Sequence, residues 1–179
     1  LKDLPIDTDG DSFYDYKDLD SDNDVCYDTV EAGFSDPDDN GRLGTEPITL
    51  DYLGRVIGQG GYLVPLDGDS NSIFDFQEAT ALVSITSQPT SVSVCVSDTN
   101  SFSVTTSDTF DLIYQWEIFD GVSWGNLDFS EANYMGVNSA TLTVQPLNIS
   151  VNGKRYRVKI RRSNSQCAVI SDEAIINVF

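Results

Sequence analysis

The sequence predicts a mainly β protein in two parts, an irregular Asp-rich segment over residues 1–82 and a β-sandwich over residues 83–179. Turn-forming Asp, Gly, Asn and Ser dominate the first part, which has almost no helical periodicity. From residue 84 onward, short runs that alternate apolar and polar residues are separated by turn residues, as in all-β sandwiches. Charge divides the chain at the same place. Residues 1–83 carry 20 acidic and 4 basic side chains (net −16), and residues 84–179 carry 9 and 6 (net −3).

The composition argues against several classes of function. The chain has no His, so it lacks the usual general base and the commonest transition-metal ligand, and no nucleophile or phosphate-binding motif is visible. We therefore expect a protein that is not an enzyme. The acidic first part disfavours nucleic acid, and no apolar run approaches the ~20 residues of a membrane span, so we expect no membrane insertion. We expect a monomeric fragment of a longer, extracellular protein, because the chain starts inside an acidic motif and its three Cys suit an oxidising exterior.

The acidic residues of the first part follow the ligand spacing of a calcium loop. An EF-hand-type loop supplies ligands from positions 1, 3, 5, 7 (a backbone carbonyl), 9 and 12. We number four candidate loops in chain order, starting at Asp7, Asp20, Asp36 and Asp67. In the second loop every side-chain position is a carboxylate. Its predicted ligands are Asp20, Asp22, Asp24, the Cys26 carbonyl, Asp28 and Glu31.

The fourth loop repeats the second at a constant offset of 47 residues, down to the Glu-Ala pair that closes each loop. Chance would not preserve six ligand positions twice, so this internal repeat supports a shared structure. The predicted ligands of the fourth loop are Asp67, Asp69, Asn71, the Ile73 carbonyl, Asp75 and Glu78.

The first and third loops fit the spacing less well. The first loop ends on Asp18, which is shorter than Glu, so this site is either looser or shares ligands with its neighbour. Its predicted ligands are Asp7, Asp9, Asp11, the Phe13 carbonyl, Asp15 and Asp18. The third loop has Gly44 and Pro47 at positions 9 and 12 and needs a further ligand or water. Its predicted ligands are Asp36, Asp38, Asn40 and the Arg42 carbonyl.

The cation that suits these loops best is calcium (Ca2+). Calcium takes six to eight oxygens, whereas magnesium prefers few carboxylates and several waters. A disordered acidic tail is the alternative, but such tails do not keep this spacing. We do not expect paired EF-hands, because Asp18 closes one loop and Asp20 opens the next, which leaves no room for flanking helices. We expect about three to four calcium ions.

The stretch DTDGDSFYDYKDLDSDNDVCYDTVEAGFSDPDDNG, followed by DGDSNSIFDFQEA, resembles thrombospondin type 3 repeats. It is similar to calcium-binding segments of large secreted surface proteins of gliding and adhesive Bacteroidetes-type bacteria. The resemblance covers about residues 5–80 and implies calcium loops with little secondary structure. One departure is that Ser12, Val25 and Ser72 stand at position 6, where the family often has Gly. Val25 disfavours positive φ, so we expect the second loop to depart from EF-hand geometry.

The second part reads as seven or eight short strands in about 96 residues, which fits an immunoglobulin-like sandwich. The predicted strands are Leu82–Thr86, Ser91–Val96, Asn100–Thr106, Asp111–Phe119, Val122–Leu127, Ser139–Gln145, Gly153–Arg162 and Ala168–Phe179.

Several residues of this part match the hallmarks of that fold. Trp116 stands where a buried Trp is expected, and Tyr156 lies two residues before the inward-facing Val158, as in a tyrosine corner. The usual disulfide positions are apolar here, namely Val104 or Phe102 on one strand and Val158 on the other. The QPTSVSVC start and the YQW strand resemble bacterial Ig-like modules of the same surface proteins.

Two of the Cys are expected to pair. Cys95 lies on an early edge strand and Cys167 lies between the last two strands, and an edge strand can pair with the final strand in such folds. We predict a Cys95–Cys167 disulfide, with two unpaired thiols as the alternative. Cys26 is then the unpaired residue, and its thiol is expected to pack in the calcium segment.

Strand 154–162 carries basic residues on one face. They could bind an anionic glycan, or they could form a solvated face paired with Glu117 and Glu173 on adjacent strands. Trp124 and Tyr134, if exposed, could stack on sugars. The sequence thus predicts a structural or adhesive module in which calcium stiffens the repeat segment, with surface glycans or neighbouring repeats as partners. A carbohydrate-binding module is the alternative.

Overall fold

A computed structural model of the chain describes residues 4–58, 64–130, 133–145 and 149–179. The chain divides into two compact units. Unit 1 comprises Leu1–Leu82 and Asn164–Cys167, and unit 2 comprises Val83–Ser163 and Ala168–Phe179. Residues 164–167, which the sequence analysis placed in the second part, therefore belong to unit 1.

Unit 1 contains little regular secondary structure. Its described residues form one short α-helix, α1 (Asp28–Glu31), and one 3-10 helix, Asp75–Gln77. Leu50 and Val56 form an isolated antiparallel bridge. Closely spaced acidic residues repel one another and resist compaction, so long helices and strands are not expected here.

Unit 2 is built from strands, with a 3-10 helix at Ile149–Val151. The strands that the structure describes are β1 (Ile85–Ser87), β2 (Val92–Val94), β3 (Asn100–Ser103), β4 (Thr105–Thr106), β5 (Leu112–Phe119), β6 (Trp124–Asn126), β7 (Tyr134–Met135), β8 (Thr141–Val144), β9 (Arg155–Arg162), β10 (Ala168–Ile170) and β11 (Ala174–Val178).

The strands of unit 2 form two main sheets. The larger sheet has the order β2-β11-β9-β5-β6, with β10 also paired to β9, and the smaller has the order β3-β8-β7. Strand β2 runs parallel to β11, while β5, β9 and β11 are mutually antiparallel where they pair. A separate ladder joins β1 to β4. This order matches the two sheets of an immunoglobulin-like sandwich, so the protein is mainly β with an Ig-like unit.

The structure divides two strands that the sequence predicts as continuous. The predicted strand at residues 100–106 is β3 and β4, because β3 pairs with β8 whereas β4 pairs with β1. The chain changes partner at Val104, which is buried. The predicted strand at 168–179 is interrupted around Ser171, whose hydroxyl accepts the N–H of Val158 at 2.9 Å. Strand β7 was not predicted.

The core of unit 2 lies between the two main sheets. Trp116, Tyr156 and Val158 are fully buried, as predicted, and Trp116 Nε1 donates to the Ser139 carbonyl at 2.8 Å. The Phe102 ring on β3 lies 5.4 Å from that of Tyr156 on β9. Burying aromatic rings from both sheets supplies the main stabilisation of such a sandwich.

Candidate metal centre

The four acidic loops of unit 1 share one backbone frame. In each loop the N–H of position 9 donates to the carbonyl of the residue that precedes position 1. The four bonds are Asp15 to Ile6 (3.0 Å), Asp28 to Leu19 (2.9 Å), Gly44 to Ser35 (2.8 Å) and Asp75 to Leu66 (2.9 Å). The third loop makes this bond through Gly44. Its backbone therefore folds like that of the other loops, although it lacks side-chain ligands at positions 9 and 12.

Position 6 is bound to position 1 in the same way in every loop. The N–H of position 6 donates to a carboxylate oxygen of position 1, from Ser12 to Asp7 (3.2 Å), Val25 to Asp20 (3.0 Å), Gly41 to Asp36 (2.7 Å) and Ser72 to Asp67 (2.9 Å). The four position 6 residues have φ of 84°, 78°, 78° and 78°.

The expectation that Val25 makes the second loop depart from this geometry is therefore wrong. Val25 takes the left-handed conformation that its β-branched side chain disfavours. Its side chain is 80% exposed, so nothing packed against it opposes this conformation, and the bond to Asp20 holds its N–H.

The side chains at position 5 are held inside each loop by a further bond. The side-chain oxygen of position 5 accepts the N–H of position 7. The bonds run from Phe13 to Asp11 (2.6 Å), Cys26 to Asp24 (2.8 Å), Arg42 to Asn40 (2.9 Å) and Ile73 to Asn71 (2.7 Å). Backbone N–H groups thus orient the side chains at positions 1 and 5 of each loop without the help of a cation.

The structure brings together two sets of three predicted ligands. Oxygen atoms of Asp7, Asp9 and Asp11 lie within 4.8 Å of one another, and so do those of Asp20, Asp22 and Asp24. In the third and fourth loops Asn replaces Asp at position 5, and its side-chain amide donates to the carboxylate of position 3, from Asn40 to Asp38 (3.1 Å) and from Asn71 to Asp69 (3.1 Å).

The residues at position 12 differ between loops. In the fourth loop Asn71 Nδ2 donates to both oxygens of Glu78, at 2.9 and 2.8 Å, so Glu78 reaches the other ligands. In the first loop Asp18 Oδ1 accepts the N–H groups of Leu19 (2.7 Å) and Asp20 (3.1 Å). Asp18 therefore orients the start of the second loop. In the third loop position 12 is Pro47, which has no side-chain ligand. The N–H of the preceding residue, Glu46, donates to Asp38 Oδ2 at 2.9 Å.

The carboxylates at position 9 bind the residue at position 2. Asp15 accepts from the N–H and hydroxyl of Thr8 at 2.9 and 3.0 Å, and Asp28 accepts from the same groups of Ser21 at 2.7 and 2.6 Å. Asp75 accepts the Gly68 N–H at 2.7 Å. These hydrogen bonds between positions 9 and 2 were not predicted from the sequence. The hydroxyl residues at position 2 of the first two loops were the available signal.

Glu31, at the end of α1, is the most unusual residue of the candidate centre. It is 1% exposed, and its Oε2 has no hydrogen-bond partner among the described residues. The same holds for the buried Oδ2 of Asp22. Burial, followed by the charges of Asp22 and Asp24, raises the pKa of Glu31 to about 9. Burial, followed by the charge of Asp24, raises the pKa of Asp22 to about 7. A buried carboxylate without a partner is costly, so this loop fits a bound cation.

Two position 9 carboxylates respond differently to their surroundings. Burial raises the pKa of Asp28 despite the bonds from Ser21. For Asp15, burial also raises the pKa, but hydrogen bonds from Gln77 and Thr8 outweigh it and lower the pKa below the ordinary value. The second loop is therefore where carboxylate charge is least compensated by the protein itself.

Hydrogen bonds join loops that lie far apart in the sequence. Thr80 N–H donates to Asp24 Oδ2 at 2.8 Å, and the Leu66 N–H donates to the Ala32 carbonyl at 3.3 Å. Gly33 has φ +81°, and a Cβ there would lie 2.7 Å from Leu66 Cδ1, so only Gly fits this approach. These contacts join the second and fourth loops within unit 1.

The predicted Cys95–Cys167 disulfide is wrong. Cys26 and Cys167 form the disulfide, with Cα atoms 6.0 Å apart across 141 residues of sequence, and both lie in unit 1. Cys95 is a free, exposed thiol just after β2. Edge-strand pairing did occur, since β2 pairs with β11, but Cys167 lies in the segment 164–167 that joins unit 1 and not in a strand.

Three basic residues of β9, namely Arg155, Arg157 and Lys159, have acidic partners in unit 2. Arg157 and Lys159 bind the two oxygens of Glu117 at 2.7 and 2.8 Å, and Arg155 binds Glu173 at 2.8 Å. The Arg157 guanidinium lies 4.2 Å from the Trp124 ring centroid. Tyr134 is buried at 9% exposure, with its hydroxyl 3.2 Å from that of Tyr156, so its ring packs in the core and is not available to stack on a sugar.

No protein-family model matches the chain, and no curated protein matches it. Several solved immunoglobulin-domain structures are similar in fold. They include the N-terminal Ig1-2 module of Drosophila Receptor Protein Tyrosine Phosphatase DLAR (14% identity, 55% of this chain and 49% of that chain, TM-score 0.44), Duf (Kirre) D1 (14%, 54% and 96%, 0.44) and an I-band fragment from titin (19%, 56% and 33%, 0.45). The chain spans about half the length of the DLAR module. No helix among the described residues is long and apolar enough to cross a membrane.

Proposed function

We propose that this chain is a non-enzymatic, calcium-binding structural or adhesive module of a cell-surface protein. Calcium binds the acidic loops of unit 1 and stiffens that unit next to an Ig-like domain. The loops are of the thrombospondin type 3 kind, and the protein is extracellular. The Cys26–Cys167 disulfide is consistent with an oxidising compartment.

The observation that carries the proposal is the buried carboxylate of Glu31. It is 1% exposed and closes a loop in which oxygens of Asp20, Asp22 and Asp24 lie within 4.8 Å of one another. No cationic side chain is among the ion-pair partners described for these four residues. A buried carboxylate is stabilised by protonation, by pairing with a cationic side chain or by metal coordination, and of these coordination by the surrounding ligands leaves Glu31 charged at neutral pH.

The ligand chemistry supports calcium over other cations. The loops offer oxygen ligands with two to five carboxylates each, and the chain has no His. Calcium accepts six to eight such oxygens in flexible geometry, whereas magnesium keeps several waters and soft metals prefer nitrogen and sulfur. Extracellular calcium at millimolar levels saturates sites of moderate affinity.

Calcium binding would stabilise the folded form of unit 1. The four loops share their backbone frame, and the Thr80–Asp24 and Leu66–Ala32 bonds join the second and fourth loops within one folded unit. Because the charged ligands repel one another without the cation, ligation free energy becomes folding free energy.

Calorimetric titration of the calcium-free protein tests this proposal. We expect about three to four ions to bind, a rise in the Tm of unit 1, and protection of residues 7–78 from proteases. Glu31→Gln should remove about one bound ion, because it removes a charged ligand of the second loop. Glu173→Gln, an exposed substitution in unit 2, is the matched control and should leave the stoichiometry unchanged.

Two results would overturn the proposal. One is the absence of binding heat at millimolar calcium with protease sensitivity unchanged. The other is an equal response to magnesium and calcium, which would indicate screening of the negative charge and no built site.

A further inference from the structure

Cys26 has two roles in the second loop. It stands at position 7, where the backbone carbonyl is a predicted calcium ligand, and its N–H donates to Asp24 Oδ1 at 2.8 Å. Its sulfur is bonded to Cys167. Of the four loops, only the second has Cys at any ligand position. The disulfide therefore fixes the backbone of this loop at the point from which a ligand is supplied.

Glu31 connects the disulfide to the other ligands. Its carboxylate lies within 4.8 Å of the sulfurs of Cys26 and Cys167, and all three residues are buried, at 1%, 6% and 8% exposure. The unpartnered Oε2 of Glu31 belongs to this same cluster. A shift of either sulfur changes the space available to the carboxylate that closes the loop, because buried groups at this distance cannot move independently.

We propose that Cys167 is a positioning residue for the cation site of the second loop, and that calcium binding and the Cys26–Cys167 disulfide stabilise each other. This inference rests on the proposed calcium-binding function. The oxidised form holds Cys26 and Glu31 in the arrangement that binds the ion, and reduction releases both. The redox state of the disulfide thus sets the calcium affinity of this loop and leaves the ligands of the other loops in place.

Reduction is a balanced two-electron step. A dithiol reductant gives two electrons and two protons to the disulfide, the bond between the two sulfurs breaks, and two thiols form while the reductant becomes a cyclic disulfide. Coupling between two binding equilibria is reciprocal. If reduction weakens calcium binding tenfold, calcium must make reduction tenfold less favourable, which is a fall of about 30 mV in the reduction potential.

The test measures the reduction potential of Cys26–Cys167 in the full chain with and without saturating calcium. All samples carry Cys95→Ser, so that the free thiol cannot exchange with the disulfide. Equilibration in mixtures of reduced and oxidised dithiothreitol gives the potential. We expect calcium to lower it by about 30 mV, corresponding to a tenfold effect.

Matched variants at position 12 separate this role from general stabilisation. Glu31→Gln and Glu78→Gln remove the same charge from the same position of the second and fourth loops, and of these two residues Glu31 is the one whose carboxylate lies within 4.8 Å of the sulfurs. We expect the calcium effect on the reduction potential to fall below twofold in Glu31→Gln and to stay near tenfold in Glu78→Gln. Before equilibration, each oxidised variant is checked for a cooperative thermal unfolding transition, so a variant that fails to fold is recognised.

Three outcomes decide the matter. The expected difference between the two variants supports the proposal. Equal calcium effects in both variants would overturn it, since the coupling would then run through the stability of the whole unit. An unchanged potential in the chain that carries Cys95→Ser alone, with calcium binding seen by calorimetry in the same sample, would also overturn it. Absence of calcium binding itself contradicts the proposed function, and calorimetry separates the two cases.

Discussion

The side-chain amide of Gln77 donates to Asp15 Oδ2 at 2.9 Å, although 62 residues separate the two in the sequence. Asp15 stands at position 9 of the first loop and Gln77 precedes the residue that closes the fourth loop. The bond joins the two ends of the acidic segment within unit 1. The same Asp15 carboxylate accepts hydrogen bonds from the N–H and hydroxyl of Thr8. The Gln77–Asp15 bond therefore links the first loop to the fourth.

Gln77→Ala should destabilise unit 1 by about 1 kcal/mol, because it leaves a half-buried carboxylate with one partner fewer. The pKa of Asp15, lowered in the folded protein, should move upward. Urea unfolding in calcium gives the first quantity and NMR titration gives the second. Gln166→Ala, at an exposed position, is the control and should change neither.

Val25→Gly should stabilise unit 1, because Val25 has φ 78° and an 80% exposed side chain that loses little when removed. We expect a gain of about 0.5–1 kcal/mol, measured as a higher Tm in calcium. Val64→Gly is the control, since Val64 is also exposed but is not among the described residues with positive φ. That substitution should destabilise. A lower Tm for Val25→Gly would contradict the argument.

In calcium-free buffer, unit 1 should lose stability as the pH rises. The folded protein raises the pKa of Glu31 to about 9 and that of Asp22 to about 7, above their ordinary values in the unfolded chain. At a pH between the unfolded-state and folded-state pKa of each group, the folded protein holds more protons than the unfolded chain. The free energy of unfolding therefore falls as the pH rises through this range. Scanning calorimetry at pH 5.5 and 8.5 measures the trend. Glu31→Gln should weaken it, and saturating calcium should abolish it. A Tm that rises with pH in calcium-free buffer would contradict the prediction.

Glu117→Gln should destabilise unit 2 by about 2 kcal/mol, because the buried carboxylate, 3% exposed, binds both Arg157 and Lys159. Glu173→Gln removes the same charge from a side chain that is 42% exposed, so we expect a loss of less than about 1 kcal/mol. Guanidinium unfolding followed by fluorescence of the buried Trp116 measures both. Similar effects of the two substitutions would show that burial of Glu117 is unimportant.

Local patterns in the sequence predicted much of this protein. The alternation of apolar and polar residues predicted the sandwich, with Trp116 and Tyr156 in its core, and the structure confirms both. The spacing of Asp residues predicted the four loops, including the incomplete one at Asp36. Such patterns are readable because period-two burial and ligand spacing depend on residues that are close in the chain.

Other features depended on residues far apart in the sequence. Cys26 and Cys167 meet across 141 residues, and no local pattern favours that pairing over Cys95–Cys167. Val25 adopts a left-handed conformation that a β-branched residue disfavours. The hydrogen bond from its N–H to Asp20, which the fold of the loop requires, outweighs that local preference.

The sequence by itself determined the strand-rich half, the acidic loops and their order, because these follow from side-chain periodicity and spacing. Only the tertiary structure decided which loop has a buried closing carboxylate, which Cys pair, and that residues 164–167 belong to unit 1. The physical reason is that burial and disulfide pairing require distant segments to come within a few ångströms. That proximity is set by the packing of the whole unit. Glu31 and Glu78 close their loops at the same position, yet Glu31 is buried and Glu78 is partly exposed.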